Sequence, residues 1–462
     1  MTFNITAGAT VAGDSKVLND GGKQIRLPTT AINDGIAATR YDMMLDMEYI
    51  SAISGVTQSI NKPTRYGSNP VFPVDAETDG WDVDKYYGSV ALVGGTWHLW
   101  YGGLNNPLTI QVCCYATSSD GITWTKPNLG LVSWGGNTNN NIYLDHPSYN
   151  PGVYYDVDGA ADRIYVSSIE TKTGEDTDDI HIYIGSDETT WSFLITLSTS
   201  FTNGTETKNI IKRDDDTWIL YYKYKDASNI RHIAAMHSLT SNLGGSWIDM
   251  GPIIDPVSAN SQPYTMAAFR HNEHYFGFVM DYNDGASTAD IDLYTSRDGL
   301  SWRLVDTGWL PLGAGAEWDD SSLVGCSSLI KVSNDWRFYY NGWPLGHSSY
   351  PRDSRFGYAT VGYERIGQMT ATGTITAKPL RPADGAALNV NVDASGGGKL
   401  EIEILDGKGD TIGGYAQTDS TDITTDTFST EATWGSATLP TGTEIVIKFH
   451  LTNATLYSYE VV

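Results

Sequence analysis

A chain of 462 residues with 29 basic and 55 acidic side chains carries a formal charge of −26. That balance leaves no lysine and arginine surface to exchange for phosphate counterions, and no polybasic or amphipathic stretch suits an anionic membrane, so neither nucleic acid nor membrane is an expected partner. The length asks for more than one hydrophobic core, and 11% aromatics, 48 Gly and 14 Trp against only 18% charged residues suit short strands and tight turns, so the expected fold class is all-β.

Residues 1–40 are rich in Gly, Ala, Thr and Asn without a clear period and read as an N-terminal extension or attachment segment. Their start, Met1-Thr2-Phe3-Asn4-Ile5-Thr6, has no basic region followed by an apolar run, so no secretory signal is visible. From residue 41 to 369 short β-type runs alternate with polar turns, and two patterns recur. The first is a turn: Ser118-Ser119-Asp120-Gly121-Ile122-Thr123-Trp124 matches Ser296-Arg297-Asp298-Gly299-Leu300-Ser301-Trp302, with weaker copies at 186–191 and 243–247. Asp-Gly at a hairpin tip with Trp on the returning strand is structural punctuation, the indole covering a sheet edge. The second is a strand, as in Thr96-Trp97-His98-Leu99-Trp100-Tyr101, Thr217-Trp218-Ile219-Leu220-Tyr221-Tyr222 and Asp335-Trp336-Arg337-Phe338-Tyr339-Tyr340, with further copies at 162–166 and 273–278. Five copies predict a five-bladed β-propeller over 41–369, a ring of sheets that bury their faces only by stacking on neighbours. Cys113, Cys114 and Cys326 fall in or beside strand-like runs as small core residues, with no disulfide framework implied. Beyond residue 370 the texture changes to small residues and strict alternation, as in Leu400-Glu401-Ile402-Glu403-Ile404-Leu405, which predicts a small antiparallel β-sandwich over 370–462.

Several segments carry a resemblance: Ile142-Tyr143-Leu144 after an Asn-rich turn, Tyr294-Thr295-Ser296-Arg297-Asp298-Gly299, Gly315-Ala316-Glu317-Trp318-Asp319, Tyr339-Tyr340-Asn341-Gly342 followed by His347, and in the tail Lys378-Pro379-Leu380-Arg381 and Phe449-His450-Leu451-Thr452-Asn453-Ala454. Together they resemble five-bladed propeller proteins similar to glycoside hydrolase families 32 and 43, with a following sandwich. The resemblance implies carbohydrate as partner and glycosidic hydrolysis as activity, with work outside the cell or on a virus particle. The fructan-hydrolase signatures, an Asn-Asp-Pro-Asn-like start, an Arg-Asp-Pro and a Glu-Cys-Pro, do not occur. A non-catalytic carbohydrate-binding or adhesion protein, attached through residues 1–40, is therefore the alternative.

Hydrolysis of a glycoside needs a proton donor and a second carboxylate on the opposite face, and a propeller supplies them from the starts of its innermost strands. Asp84 is the expected nucleophile or base. The resemblance implies that Asp145, from the second blade, orients substrate or tunes a neighbour. For the donor two alternatives stay open: Glu206, which the resemblance favours, and Glu317 with Asp319, the stronger local motif. Sugar C–H faces stack on rings while hydroxyls take polar contacts. Trp81, Tyr86, Tyr87, Tyr149, Tyr264, Trp318 and Trp343, with His347, are the expected substrate-binding residues. No metal ligands or cofactor are expected, a structural calcium ion being the one alternative weighed, since no loop has calcium-ligand spacing.

Overall fold

The computed structural model describes residues 16–20, 23–27, 39–72, 80–82, 84–105, 111–144, 148–159, 165–171, 179–199, 208–258, 260–347, 349 and 352–462. They are all-β: among them the one helical element is a 3-10 turn at Gln417–Asp419. The chain divides into two compact units, one of Lys62–Tyr363 and one of residues up to Asn61 with Glu364–Val462.

In Lys62–Tyr363 the chain forms antiparallel meanders one after another. The first sheet runs Asp84–Val93, Thr96–Leu104, Gln111–Ser118 and Trp124–Thr125, with Ile142–Leu144 added on its third strand. The second runs Ser148–Tyr155, Tyr165–Thr171, Asp179–Gly185 and Trp191–Leu197, and the third Lys208–Lys212, Trp218–Lys225, Arg231–Ser238 and Trp247–Ile254. The fourth runs Ser261–His271, His274–Asn283, Thr288–Ser296 and Arg303–Leu310. The fifth takes Ser322–Val332, Asp335–Trp343 and Arg355–Gly362, and its outer place is filled by Thr64–Arg65 from the start of the unit. A single parallel bridge, Ala289 to Ser322, joins the fourth sheet to the fifth. Each first strand lies beside the first strand of the next sheet, and that of the fifth lies beside that of the first, so the series closes on itself. Closure by a strand from the opposite end of the unit ties its two termini into one sheet and leaves no free outer place in the fifth.

The repeated residues explain how the sheets are stapled. Trp100, Tyr221 and Tyr339 each stand three residues after the tryptophans Trp97, Trp218 and Trp336 of a second strand. Each donates a hydrogen bond to a turn carbonyl of the following sheet: Trp100 to Glu188 at 2.8 Å, Tyr221 to Gly299 at 2.7 Å and Tyr339 to Gly121 at 2.7 Å. The Asp-Gly turns present those carbonyls because Asp120 and Asp298 cap them from within, each Oδ1 accepting two backbone amides at 2.7–2.8 Å. These amides hold the Asp120 carboxyl down at about 2. Gly121 has φ 72°, and a Cβ there would lie 2.4 Å from the Tyr339 hydroxyl, so the latch needs glycine. Trp124 and Trp302 meet Tyr339 and Tyr221 edge-on at 6.1 and 5.8 Å, which realises the expected role of the turn tryptophans.

The second unit is built around one long strand, Ile445–Val461, which pairs with Gly367–Ala377, Leu388–Asp393, Lys399–Asp406 and Arg40–Asp42. Ile50–Ser54 and Thr57–Ile60 add to Gly367–Ala377, and Asp426–Glu431 adds to Leu388–Asp393, giving an eight-stranded hydrogen-bonded network. Alternate residues of these strands, among them Leu388, Val390, Ile402, Ile404, Ile447, Phe449 and Leu456, form one apolar core. The division therefore differs from boundaries at 41 and 369: residues 40–61 contribute strands to the C-terminal unit, because pairing with Val461 and Ile375 is long-range and leaves no mark in local periodicity. Within the extension, Lys16–Asp20 and Lys23–Leu27 pair as a two-stranded ladder.

Candidate functional site

In an antiparallel meander the start of the first strand, the end of the second and the start of the third share one end of the sheet. At that end of the ring the side chains of four sheets meet. Among the first strands whose register shifts after they begin are that of the first sheet, between Tyr86 and Gly88, and that of the fourth, between Pro263 and Thr265. A bulge turns one side chain away from the regular alternation. The residues so turned, Tyr87 (φ 35°) and Tyr264, both pack with Tyr282, Met280, Val324 and Trp343.

Cations and amides surround these rings. Lys223 Nζ lies 4.4 Å from the centre of the Tyr264 ring, and the Arg231 guanidinium lies 5.0 Å from Tyr264 and 4.6 Å from Tyr282. Arg231 Nη1 donates to Gln262 Oε1 at 2.8 Å, while Arg231 Nε is buried with no hydrogen-bond partner among the described residues. The His347 ring is 4.8 Å from Tyr264 and 4.7 Å from Tyr282. Arg352 covers Trp343 at 5.0 Å and donates through Nε to the His347 carbonyl at 3.1 Å. Trp343 Nε1 is buried without a hydrogen-bond partner among the described residues.

Asp84 is fully buried at the start of the first sheet, three residues before Tyr87. Its Oδ2 accepts the Arg352 amide at 2.7 Å and its Oδ1 the Ser354 amide at 3.0 Å. The carboxylate thus ties the approach to Arg355–Gly362 across to the first sheet, and that approach carries Arg352.

Asp319 is also fully buried, and its surroundings repeat those of Asp82 in the first sheet. Asp82 Oδ2 accepts the Tyr101 hydroxyl at 2.7 Å and faces Lys126 Nζ at 2.7 Å. Asp319 Oδ2 accepts the Tyr340 hydroxyl at 2.9 Å and Arg65 Nε at 2.8 Å. Burial, and next the neighbouring carboxylate, push both tyrosines up. Cβ atoms at Gly103 and Gly342 would lie 2.8 and 2.7 Å from the Asp82 and Asp319 Cβ atoms, so both aspartates use the same close approach to a glycine. The Trp-Asp pairs 81–82 and 318–319 are one device used twice, anchoring the segment ahead of a first strand to its own sheet.

Of the other expected residues, Glu317 is exposed and its Oε2 accepts the Ala314 amide at 2.9 Å. Trp81 Nε1 donates to Asn141 Oδ1 at 2.9 Å, and Trp318 stacks on Tyr340 at 5.5 Å. Asp145 and Glu206 lie outside the described residues, as do the side chains of Tyr86 and Tyr149. The structure thus brings together Asp84, Tyr87, Tyr264, Trp343 and His347, and sets Trp81, Glu317, Trp318 and Asp319 in other surroundings. Sequence reasoning missed Lys223, Arg231, Gln262, Tyr282 and Arg352. The available signal was the cationic end of the repeated strand, Tyr222-Lys223-Tyr224-Lys225, where the copies beginning at Thr96 and Asp335 have Gly102-Gly103 and Asn341-Gly342; a search for acids passes over it. Among the described residues no group of three or more His, Cys, Asp or Glu is placed to hold a metal ion, and no helix is long and apolar enough to cross a membrane.

No family model matches the chain, and no curated protein matches it. Solved structures similar to it include a putative glycoside hydrolase from Parabacteroides distasonis (14% identity, 65% of this chain and 97% of that one, TM-score 0.48). Others are a structure described under the GH130 family of mannoside phosphorylases, with glycoside hydrolases that target β-1,2 mannosidic linkages in Candida mannan (15%, 66% and 95%, 0.46), and an N-acetylgalactosamine deacetylase from F. plautii in complex with blood group B trisaccharide (15%, 66% and 96%, 0.46). At such identities and TM-scores below 0.5, the functional reading rests on the chain's own residues.

Proposed function

We propose that Lys62–Tyr363 is a five-bladed β-propeller that binds carbohydrate at the end where its first strands begin. The observation that carries this reading is the convergence there of Tyr87, Tyr264, Tyr282 and Trp343 with Arg231, Gln262 and His347. Rings offer faces to sugar C–H groups, and guanidinium and amide groups offer paired polar contacts to hydroxyls. Tyr87 and Arg231 are the partly exposed members and make first contact. A polysaccharide ligand assigns the protein's work to the outside of a cell or to a particle surface.

Glycoside hydrolysis is the second reading. It is favoured by the order of the strands: Asp145 and Glu206 stand just ahead of Ser148–Tyr155 and Lys208–Lys212, the first strands of the second and third sheets. One experiment separates the readings. The protein is screened against a glycan array, and the bound glycans are then assayed for release of reducing ends. Binding lost in Tyr264→Ala with melting temperature kept supports the site. Release abolished by Asp145→Asn or Glu206→Gln adds hydrolysis. Binding without release removes hydrolysis, and neither binding nor release removes both.

A further inference from the structure

Arg231 brings a buried donor, unpaired among the described residues, to this end of the ring. The chain has a net charge of −26, yet at this end of the ring Lys223 and Arg231, from adjacent strands of the third sheet, both lie over the Tyr264 ring, and Arg352 covers Trp343 nearby. Arg231 meets a carboxylate among the described residues only at 4.0 Å, that of the largely exposed Asp284. Its Nη1 is committed to Gln262 Oε1, which fixes the plane of the guanidinium. The opposite edge carries Nε, withdrawn from water and without an acceptor among the described residues. A buried donor left unmade is costly, and the Nε edge of a guanidinium is the fork that fits the two oxygens of a carboxylate. A neutral hydroxyl would satisfy one donor of that fork and leave the charge without a counterion.

We propose that the ligand is an acidic glycan and that the Nε edge of Arg231 donates to the carboxylate of a hexuronate unit, Tyr264 and Tyr282 flanking it. This rests on the carbohydrate reading of the same site. The test is calorimetric titration of the whole chain with galacturonate, glucuronate and mannuronate oligosaccharides and with the same oligosaccharides after reduction of their carboxyl groups. The expected result is that at least one acid form binds about tenfold or more tightly than its reduced form, the scale of a charge-assisted contact. In Arg231→Gln that ratio falls toward one, while Arg231→Lys, which keeps the charge without the fork, lies between. Equal binding of acid and reduced forms, or binding of neutral glycans alone, overturns the inference and leaves the carbohydrate reading standing. Binding of no glycan, acidic or neutral, overturns both. A preference that persists in Arg231→Gln overturns the assignment to this residue. If Arg231→Gln does not fold, the wild-type ratio together with its reduction in Arg231→Lys decides.

Discussion

Asp84 shows how a place along the chain leaves a side chain's partners undecided. It starts the first strand at the expected end of the ring, but its two oxygens are taken up by the amides of Arg352 and Ser354 in a fully buried setting. A carboxylate that accepts two backbone N–H groups acts on this end of the ring through what it holds, here the segment bearing Arg352. Replacing it by asparagine would turn an NH2 group against one of those amides and leave that amide unmade, at a cost of about 1–3 kcal/mol. Asp84→Asn is therefore expected to lower the midpoint of urea unfolding, and an unchanged midpoint would show that the amides find other acceptors. Asp292 makes a second residue-level case. It is buried in the fourth sheet, and burial, followed by the carboxylates of Asp281, Asp290 and Asp306, pushes its carboxyl up to about 7. Asp290 is pushed up to about 6, again by burial first and then by Asp281. A carboxyl that holds its proton more tightly folded than unfolded stabilises the fold fully below about pH 4, the unfolded value, and this contribution is lost as pH rises through 7. Asp120, held at about 2 when folded, adds an opposite slope only at the acid end, below about pH 5 where the unfolded carboxyl takes up its proton, and almost none above it. Stability measured by urea unfolding is expected to fall from pH 4.5 to 7.5, and Asp292→Asn, whose side-chain oxygen can still accept the Gly308 amide, to make the fall shallower. An identical slope in the variant would assign it to other groups.

At the scale of elements, the turns and second strands act in pairs that belong to different sheets. Tyr221 and Tyr339 hold the turns at Gly299 and Gly121, and each hydroxyl is buried in its latch. Removing the hydroxyl alone in Tyr339→Phe takes the latch donor from the Gly121 carbonyl and is expected to cost about 1–3 kcal/mol, whereas in Tyr221→Phe the Gly299 carbonyl still accepts Trp302 Nε1 at 3.0 Å and the expected cost is about 0.5–1.5 kcal/mol. The two latches share no residue and join different sheets, so their costs should add to within about 0.5 kcal/mol in the double variant. Chemical denaturation of the two single variants and the double variant checks both statements, and a near-zero cost for either would mean that the turns are held by their internal aspartate caps alone.

For the whole molecule, the consequence of the topology is that two units with separate cores share one chain, the ring being inserted between residue 61 and residue 364 of the other unit. Phe449 is fully buried in the core of the C-terminal unit, on the strand that pairs with four others. Phe449→Ala is expected to destabilise that unit by about 3–5 kcal/mol. Differential scanning calorimetry should then show one transition moved down while the transition of the ring keeps its temperature. A single transition that moves as a whole would show that the two units unfold together.

What the sequence determined by itself was whatever repeats or alternates locally. The Asp-Gly turns, the Trp-led strands at Trp97, Trp218 and Trp336 and the run Leu400–Leu405 pointed to the all-β class, because period-two patterning and turn chemistry act between neighbours along the chain. Part of the candidate site was legible in the same way: Asp84, Tyr87, Tyr264, Trp343 and His347 were marked by nearness to strand starts or to the Gly342-Trp343 loop, which topology converts into nearness in space. The rest depended on contacts between distant segments. That Arg40–Asp42 pairs with the last strand, that Thr64–Arg65 completes the fifth sheet, and that Asp319 serves the same anchoring purpose as Asp82 all follow from partners tens to hundreds of residues away. The bulges that turn Tyr87 and Tyr264 together, and the approach of Arg231 and Lys223 to one ring, were likewise decided only by the tertiary structure, since a one-residue shift of register redirects a side chain without changing the composition of the strand that carries it.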